Sequence, residues 1–344
     1  RIAQRVNHLT NQLASSLIDS GYEIKYDWFF DTICFKASGW KEKSEAMKLN
    51  FRDFGDGLVG ISLDETTTES DIENILDVFN AKLNPDHSKS IPDNLVRGSR
   101  FLSNSVFTKY RSETEMLRYM HKLELKDLSL NTSMIPLGSC TMKLNATTEM
   151  KPVTWPEFSN VHPFAPTNQV GGYHTLINEL GDRLIQLTGF DAISMQPNSG
   201  AQGEYAGLMT IRAFHKANNQ QERDICLIPS SAHGTNPASA IMAGMKVVVV
   251  DCDDQGNIDE VDFKNKATEH RDNLSAIMIT YPSTHGVFEP SIKQLCEIAH
   301  DNGGQVYMDG ANLNALVGLC EPGQFGVDVM HINLHKTFCI PHGG

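Results

Sequence analysis

One lysine and one aspartate follow neighbouring apolar runs near the end of the sequence. Lys336 follows the run 327–334, and Asp309 follows the run 306–308. A lysine that is taken out of water loses proton affinity, as an amine must when it bonds covalently to a carbonyl carbon. A carboxylate at the next strand end can hold the protonated nitrogen of a bound ring. Singly, each residue is more often ordinary, because most lysines are solvated and strand-end aspartates often cap helices.

A second pattern, Ser199–Gly203, comes directly before a predicted helix. The inward face of that helix is made of small residues, namely Gly203, Ala206, Gly207 and Thr210. The free amides and the dipole of a helix start bind phosphate, and glycine lets the backbone approach the ligand closely. A plain N-cap on a tightly packed helix would look the same, so the pattern gains its weight from the lysine and the aspartate.

Beyond Tyr173 the sequence alternates between helical and strand patterns. We predict helices near 174–188, 202–217, 259–270 and 291–302, and strands at 225–228, 247–250, 276–279, 306–308 and 327–334. Short runs rich in Val and Ile that alternate with helices are typical of a mostly parallel sheet covered on both faces. A phosphate site, an aspartate and a lysine in this setting predict a pyridoxal phosphate (PLP) enzyme of aminotransferase-like fold (fold type I).

Polar residues follow every one of these predicted strands. In open α/β sheets ligands bind outside the carboxyl ends of the strands, so these side chains should converge on one crevice. Besides Asp309 and Lys336, they are Ser230, Ser231, His233, Asp251, Thr280, Ser283, Thr284, His285, Asn312 and His335.

The first part of the chain differs in pattern. Residues 1–83 predict a small α+β domain, with a helical apolar face at its start, strands at 32–35 and 58–63, and a helix capped by Thr68. Residues 84–172 predict a linker, a helix at 113–125 and a loop that leads into the active site. Residues 173–344 are predicted to form the PLP-binding large domain. Because the chain starts at Arg1 and ends in a loop, we predict that it is a fragment and that this domain is truncated after the lysine loop.

Composition excludes several other classes of protein. The formal net charge is −13, with no basic block, which argues against nucleic acid as a partner. The sequence contains no apolar run near the ~20 residues that a membrane span needs. The seven cysteines are odd in number and form no C-x-x-C pattern, which predicts reduced thiols.

Two apparent motifs are rejected, and the reactivity of two cysteines is left open. Gly55–Gly60 matches G-x-G-x-x-G but leads into a predicted strand, whereas a dinucleotide site requires a helix there. His331 and His335 are spaced like a metal pair, but the residues between them have a strand pattern, so we expect no metal site. Cys140 and Cys339 could be reactive, although unreactive thiols are the simpler interpretation.

Several long motifs resemble the P-protein family of the glycine cleavage system. In the second half they are 138–145 (GSCTMKLN), 196–204 (QPNSGAQGE), 231–238 (SAHGTNPA), 307–312 (YMDGAN) and 333–344 (NLHKTFCIPHGG). Residues 27–32 (DWFFDT) and 59–67 (VGISLDETT) resemble the end of that family's first half. The resemblance implies a fused chain of two related halves, of which this sequence is an internal fragment.

The resemblance also implies roles for individual residues. Lys336 would bond covalently to PLP, Asp309 would hold the pyridine nitrogen protonated, and His233 would stack on one face of the ring. Ala311 would lie against the other face. The phosphate contacts would be Ser199, Gly200 and Ala201, with Thr284 and His335 as further polar contacts, and the 131–145 loop would help to line the crevice.

The implied reaction is decarboxylation of glycine, with transfer of the aminomethyl group to the lipoyl arm of the lipoylated H-protein. The full-length chain would form a homodimer, in the cytoplasm of a bacterium or the mitochondrial matrix of a eukaryote. Two rival interpretations remain. One is another fold type I enzyme, such as a cysteine desulfurase or an amino-acid decarboxylase. The other is a non-catalytic scaffold half, which the presence of both Lys336 and Asp309 argues against.

Overall fold

The computed structural model describes residues 1–85, 91–126 and 147–338. The chain divides into two units, residues 1–133 and 134–344. The predicted division into three segments, with boundaries after residues 83 and 172, stays a prediction. Cys140, Cys339 and the 131–145 loop lie outside the described residues.

The first unit combines a three-stranded sheet with five helices among its described residues. The strands are β1 (Thr32–Lys36), β2 (Arg52–Gly55) and β3 (Leu58–Ser62). The helices are α1 (Ile2–Asp19), α2 (Lys41–Ala46), α3 (Glu69–Val78), α4 (Val106–Lys109) and α5 (Glu113–Glu124), with a 3-10 turn at Asp93–Leu95. Both strands predicted for this part of the chain, at 32–35 and 58–63, are therefore present.

The sheet of the first unit is antiparallel, in the order β1-β3-β2. The rejected G-x-G-x-x-G pattern spans the turn between β2 and β3. Asp56 and Gly57 in that turn have φ angles of 51° and 75°, in the left-handed region that tight turns use. The pattern is thus a hairpin turn, and no helix follows it.

One apolar cluster, made of residues between Val6 and Ala81, forms the core of the first unit. Leu9, Leu13 and Leu17 on one face of α1 are buried together with residues of β1, β3 and α3. The predicted cap of α3 is confirmed as a capping box, because the Thr68 side chain accepts from the Asp71 amide and the Asp71 carboxylate accepts from the Thr68 amide.

The second unit alternates helices and strands. Its strands are β4 (Ile225–Pro229), β5 (Lys246–Val250), β6 (Leu274–Thr280), β7 (Gln305–Gly310) and β8 (Val329–Ile332). Its described helices are α6 (Thr147–Met150), α7 (Pro156–Ser159), α8 (Gly171–Thr188), α9 (Gly200–Ala217), α10 (Thr235–Met242), α11 (Glu260–Glu269), α12 (Ile292–Asp301) and α13 (Leu334–Thr337). Short 3-10 turns occur at Lys151–Thr154, Thr167–Gln169, Leu313–Ala315 and Pro322–Gln324. Across the described parts of both units, every helix is too short or too polar to cross a bilayer.

The five strands of the second unit form one parallel sheet in the order β5-β4-β6-β7-β8. Successive residues of β6 belong to different apolar clusters. Ile277 and Ile279 pack with residues of α11 and α12, whereas Ala276 and Met278 pack with residues of α9 and α10. Because side chains alternate across a strand, helices cover both faces, as predicted for the α/β fold.

The end of the last strand differs from the prediction. A strand was expected over 327–334, but β8 ends at Ile332 and α13 begins at Leu334. The Asn333 carbonyl accepts the amides of Lys336 and Thr337, at 3.0 and 3.1 Å, which turns the backbone into one helical turn. Lys336 therefore lies on a helical turn after the strand rather than directly at its end.

Helix α10 was not predicted from the sequence. Its first residues, Thr235-Asn236-Pro237, have the composition of a loop. Proline is nevertheless well suited to the first turn of a helix, because the amides of that turn have no intrahelical partner to lose. This helix brings Asn236 and Ser239 into the buried part of the unit.

Candidate active site

Asp309 lies near the carboxyl end of β7 and is almost fully buried, with 3% of its surface exposed. Its Oδ2 accepts a hydrogen bond from Asn236 Nδ2 at 3.0 Å, and its Oδ1 accepts the backbone amide of Ala311 at 2.9 Å. Burying a carboxylate is costly unless it is hydrogen-bonded. The two donors therefore hold the carboxylate in place and leave further lone pairs on both oxygens.

His331 on β8 lies beside Asp309. Its Nε2 lies 3.4 Å from Asp309 Oδ1, and its Nδ1 lies 2.5 Å from the hydroxyl of Tyr307. Burial lowers the pKa of His331, although the charges of Asp309 and Glu204 oppose that shift. Burial likewise raises the pKa of Tyr307 well above its usual value. Tyr307 thus keeps its proton and donates it to Nδ1, which places the proton of the neutral imidazole on Nε2, facing Asp309.

Glu204 on α9 is a second buried carboxylate, also 3% exposed. Its Oε1 accepts the hydroxyl of Thr235 at 2.7 Å, and its Oε2 accepts the hydroxyl of Ser239 at 2.7 Å. Thr235 in turn contacts the exposed His233, whose Nδ1 lies 2.8 Å from Thr235 Oγ1. A chain of polar contacts thus joins His233 to the buried carboxylate.

The ligand atoms of Glu204, Asp309 and His331 all lie within 4.8 Å of one another. A metal ion could use such a set of ligand atoms. In the structure each carboxylate accepts two hydrogen bonds, and the His331 Nδ1 accepts the hydroxyl of Tyr307. The cluster is therefore a hydrogen-bonded polar network. His335, the other histidine of the rejected metal pattern, is half-buried on α13.

The sequence predicts a phosphate site at the start of α9. Ser199 caps the helix by accepting the Gln202 amide at 3.2 Å. A Cβ at Gly200 would lie 2.8 Å from the Oδ1 of Asn333. A Cβ at Gly203 would lie 3.0 Å from the Cβ of His331. The glycines therefore let the residues around the end of β8 approach the helix start closely.

The remaining predicted residues have varied surroundings. Lys336 is half-buried on α13, near enough to His331 for its charge to help lower the histidine's pKa. Within the described part of the chain, no hydrogen bond joins Lys336 Nζ to Asp309. Ala311 is half-buried, and Thr284 is exposed with its hydroxyl donating to the Ser231 carbonyl.

Sequence reasoning missed Glu204, Asn236 and Tyr307, and it considered His331 only as half of a metal pair. Two of these residues have sequence features that could have indicated their place in the site. Glu204 is the one charged residue among the small residues that open α9, and Tyr307 shares its strand face with Asp309 because residues i and i+2 of a strand point the same way. Asn236 lies in the motif 231–238, but its helix was not predicted, so the sequence did not indicate that it reaches Asp309.

Asp309 lies near the carboxyl end of β7, and Lys336 lies just after β8, the adjacent strand of a parallel sheet. A glycine-containing helix start packs beside the end of β8. This arrangement defines an α/β protein of the aminotransferase-like, fold type I class. Two solved structures share its fold. One is glycine decarboxylase (P-protein) of the glycine cleavage system in inhibitor-bound form, with TM-score 0.57 and 17% identity over 80% of this chain and 59% of that one. The other is Oryza sativa TDC with PLP and tryptamine, with TM-score 0.50 and 12% identity over 72% and 55%.

The sequence profile of the glycine cleavage system P-protein matches residues 1–79 and 82–344, so the chain belongs to that family. It is 57% identical over 350 residues to glycine dehydrogenase (decarboxylating) of Thermosynechococcus vestitus. It is 55% identical over 361 residues to the enzyme of the same name from Salmonella typhimurium. Both alignments cover all of this chain and 37% of the relative, so the chain spans little more than a third of those proteins' length.

Proposed function

We propose that this chain carries the PLP site of a glycine dehydrogenase (decarboxylating), which releases CO₂ from glycine and transfers the aminomethyl group to the lipoyl arm of the H-protein. The observation that carries the proposal is Asp309, a buried carboxylate held by Asn236 and the Ala311 amide. Within the described residues the basic side chain beside Asp309 is His331, and burial lowers its pKa, so it is neutral. No described Lys or Arg side chain forms an ion pair with Asp309.

The residues present fit the cofactor. A buried carboxylate without a cationic partner is strongly favoured to accept a charged N–H group, which the protonated ring nitrogen of PLP would supply. Asn236 and Asn333 each have a buried Oδ1 without a hydrogen-bond partner in the described part of the chain. The Asn236 atom lies beside Asp309, where the ring would be held, and the Asn333 atom lies beside the start of α9.

The cofactor contacts in this proposal are those that the sequence predicts. Lys336 would bond to the cofactor, Asp309 would hold the ring nitrogen, and the amides of Gly200 and Ala201 would bind the phosphate beside Ser199. His233 and Ala311 would lie against the two faces of the ring. Thr284 and His335 would add polar contacts, and for Thr284 this would require release of the bond that its hydroxyl makes with Ser231.

The chemistry follows from these placements. Bound PLP supplies an electron sink for the negative charge that remains when CO₂ departs. Asp309 keeps the proton on the ring nitrogen by electrostatic attraction, and this attraction is strong because the carboxylate is out of water. His331 supports it by staying neutral, since a protonated histidine at 3.4 Å would neutralise the carboxylate.

The partners are part of the same proposal. Glycine is the substrate, the lipoylated H-protein receives the aminomethyl group, and the full-length chain acts as a homodimer. The compartment would be the cytoplasm in a bacterium or the mitochondrial matrix in a eukaryote. Membership of the P-protein family and the names of the close relatives support this set.

The decisive experiment is exchange of labelled bicarbonate into glycine, measured with the full-length protein, with and without lipoylated H-protein. We expect strong stimulation by that partner and no exchange into larger amino acids. Indifference to the H-protein, or a preference for a larger amino acid, would contradict glycine cleavage and favour another fold type I enzyme.

Lys336 provides a second and independent test. Borohydride reduction of the holoenzyme followed by peptide mapping should find the pyridoxyl group on Lys336. Lys336→Ala should lower turnover by at least the roughly 10²–10⁴-fold that a single proton-transferring group supplies. Lys293→Ala, which changes an exposed lysine on α12, is the matched control and should leave turnover unchanged. An adduct on another lysine would overturn the assignment of Lys336.

A further inference from the structure

A buried carboxylate and an exposed histidine are joined through one threonine hydroxyl. Glu204 lies on α9, Thr235 begins α10, and His233 lies in the loop between β4 and α10. Thr235 Oγ1 is 2.7 Å from Glu204 Oε1 and 2.8 Å from His233 Nδ1. None of the contacts proposed for the cofactor uses Glu204, and a buried carboxylate is expensive to keep.

The direction of the hydrogen bonds follows from the number of protons available. The hydroxyl of Thr235 has a single proton, and a bond to a carboxylate is about twice as strong as a bond between neutral groups. The proton therefore goes to Glu204. Thr235 Oγ1 then presents only lone pairs to His233 Nδ1, so a close contact at 2.8 Å requires a proton on that nitrogen.

A competing contact exists at the same nitrogen. The backbone amide of Thr235 donates toward His233 Nδ1 at 3.2 Å, and this bond needs a lone pair on that nitrogen instead of a proton. The hydroxyl contact is shorter by 0.4 Å (3.2 against 2.8) and is polarised by the carboxylate behind it. It therefore decides which nitrogen of His233 is protonated.

We infer that Glu204 is a positioning residue, which acts through Thr235 to hold His233 in the tautomer with its proton on Nδ1. The neutral ring then has its lone pair on Nε2, and the bond to Thr235 restricts rotation of the ring. The inference deepens the proposed function and rests on it, because His233 is the residue placed there against the cofactor. It gives His233 a defined acceptor nitrogen in addition to an apolar ring face.

The tautomer can be observed directly. Full-length holoenzyme labelled with ¹⁵N-histidine would be studied by solid-state NMR at about pH 8, where an ordinary histidine is neutral. The His233 signals are assigned by difference against His233→Gln. We expect a protonated Nδ1 and an unprotonated Nε2. A His233 that carries its proton on Nε2 in the unsubstituted protein would overturn the inference without any variant.

Matched variants test the pathway. Thr235→Val removes the hydroxyl and keeps the shape, so the proton should leave Nδ1 for Nε2. Thr235→Ser restores the hydroxyl and should restore the tautomer. Ser239→Ala removes the other hydroxyl that Glu204 accepts and should leave the His233 signals in place. Retention of the Nδ1 proton in Thr235→Val would exclude the pathway through the hydroxyl.

The role of the carboxylate is tested separately by Glu204→Gln. Loss of the charge should convert the single set of His233 signals into a mixture of tautomers. An unchanged spectrum would show that Thr235 acts without Glu204. These spectra require neither glycine nor turnover. Failure of glycine exchange with an intact Nδ1 proton would therefore count against the proposed function alone, and the reverse result would count against this inference alone.

Discussion

The cores of the two units differ in the kind of polar residue that they bury. In the first unit the buried polar side chains among the described residues are neutral, namely Thr10, Asn11, Ser16 and Ser44. In the second unit they include five that can carry a charge, namely Glu204, His215, Glu289, Asp309 and His331. Burying a charge costs far more free energy than burying a hydroxyl. The buried polar groups of the second unit therefore reduce its folding stability more than those of the first unit do.

Not every ionisable group in the second unit is linked to the site. His215 is held by the Ser275 carbonyl at 2.8 Å and by Gln220. Burial raises the pKa of Glu289, which accepts the Ile258 amide at 2.8 Å and so ties down the loop after β5. These two groups have hydrogen-bond partners other than Glu204, Asp309 and His331. The ligand atoms of Glu204, Asp309 and His331 instead lie within 4.8 Å of one another, and such clusters of buried ionisable groups are typical of functional sites.

The largest effect is expected at Asp309. Asp309→Asn keeps the size of the side chain and removes its charge, so the protein should fold and retain much of its cofactor. Turnover should fall by about 10²–10³-fold, the usual loss when one electrostatic stabiliser is removed. Asp301→Asn, which changes an exposed carboxylate at the end of α12, is the control. Glycine exchange and cofactor absorbance are the measurements, and near-normal turnover in Asp309→Asn would contradict its role.

The apolar core of the first unit should respond in stability instead. Leu13 is fully buried on α1, and Leu13→Ala should lower the free energy of unfolding by about 2–5 kcal/mol. Ile18→Ala, on the exposed side of the same helix, should change it by no more than about 0.5 kcal/mol. Urea unfolding measures both. Turnover per folded molecule should be unchanged by either substitution. A loss of turnover comparable with that of Asp309→Asn would contradict the difference drawn between the cores of the two units.

Gly207 tests how tightly the polar cluster is packed. A Cβ at Gly207 would lie 2.7 Å from the ring of Tyr307 and 2.9 Å from Val329, so Gly207→Ala should cost about 1–3 kcal/mol of stability. Gly172→Ala is the control, because a Cβ at this position of α8 meets no atom within 4 Å. In Gly172→Ala the better helix propensity of alanine should increase the free energy of unfolding by at most about 1 kcal/mol. Equal stability of the two variants in urea would show that the glycine is not needed for close approach.

The smallest effect concerns pH and His331. Burial lowers the pKa of His331 in the folded protein below its ordinary value of 6.5. The unfolded chain then binds more protons between the two pKa values, so stability rises with pH across that window and is lost as pH falls below 6.5. The component amounts to about 1.4 kcal/mol for each unit of displacement. Urea unfolding from about pH 5 to pH 8 should show this pH-dependent part of the stability in the unsubstituted protein and not in His331→Gln.

The control for that titration is His174→Gln, which changes an exposed histidine on α8. Its stability should follow the pH dependence of the unsubstituted protein. A component that survives in His331→Gln would have to come from another group, and the neutral state assigned to His331 would then lack support.

Local signals in the sequence determined much of the fold. The alternation of helical and strand periods predicted the parallel sheet, and the rule that ligands bind at carboxyl strand ends selected Asp309, His233 and Thr284. The cap of α9 at Ser199 and the capping box of α3 were also readable, because a cap depends on residues three positions apart. These features arise from contacts between residues that are close in the chain.

The tertiary structure alone decided which buried groups meet. Asn236, Glu204 and His331 reach their partners from three different elements, and no local pattern states which of them will be adjacent. The helical turn that carries Lys336 likewise arises after Asn333, where the partners of β8 end. A hydrogen-bond partner or a pKa shift depends on distance through space and on the exclusion of water, and both exist only once the sheet and its helices have packed.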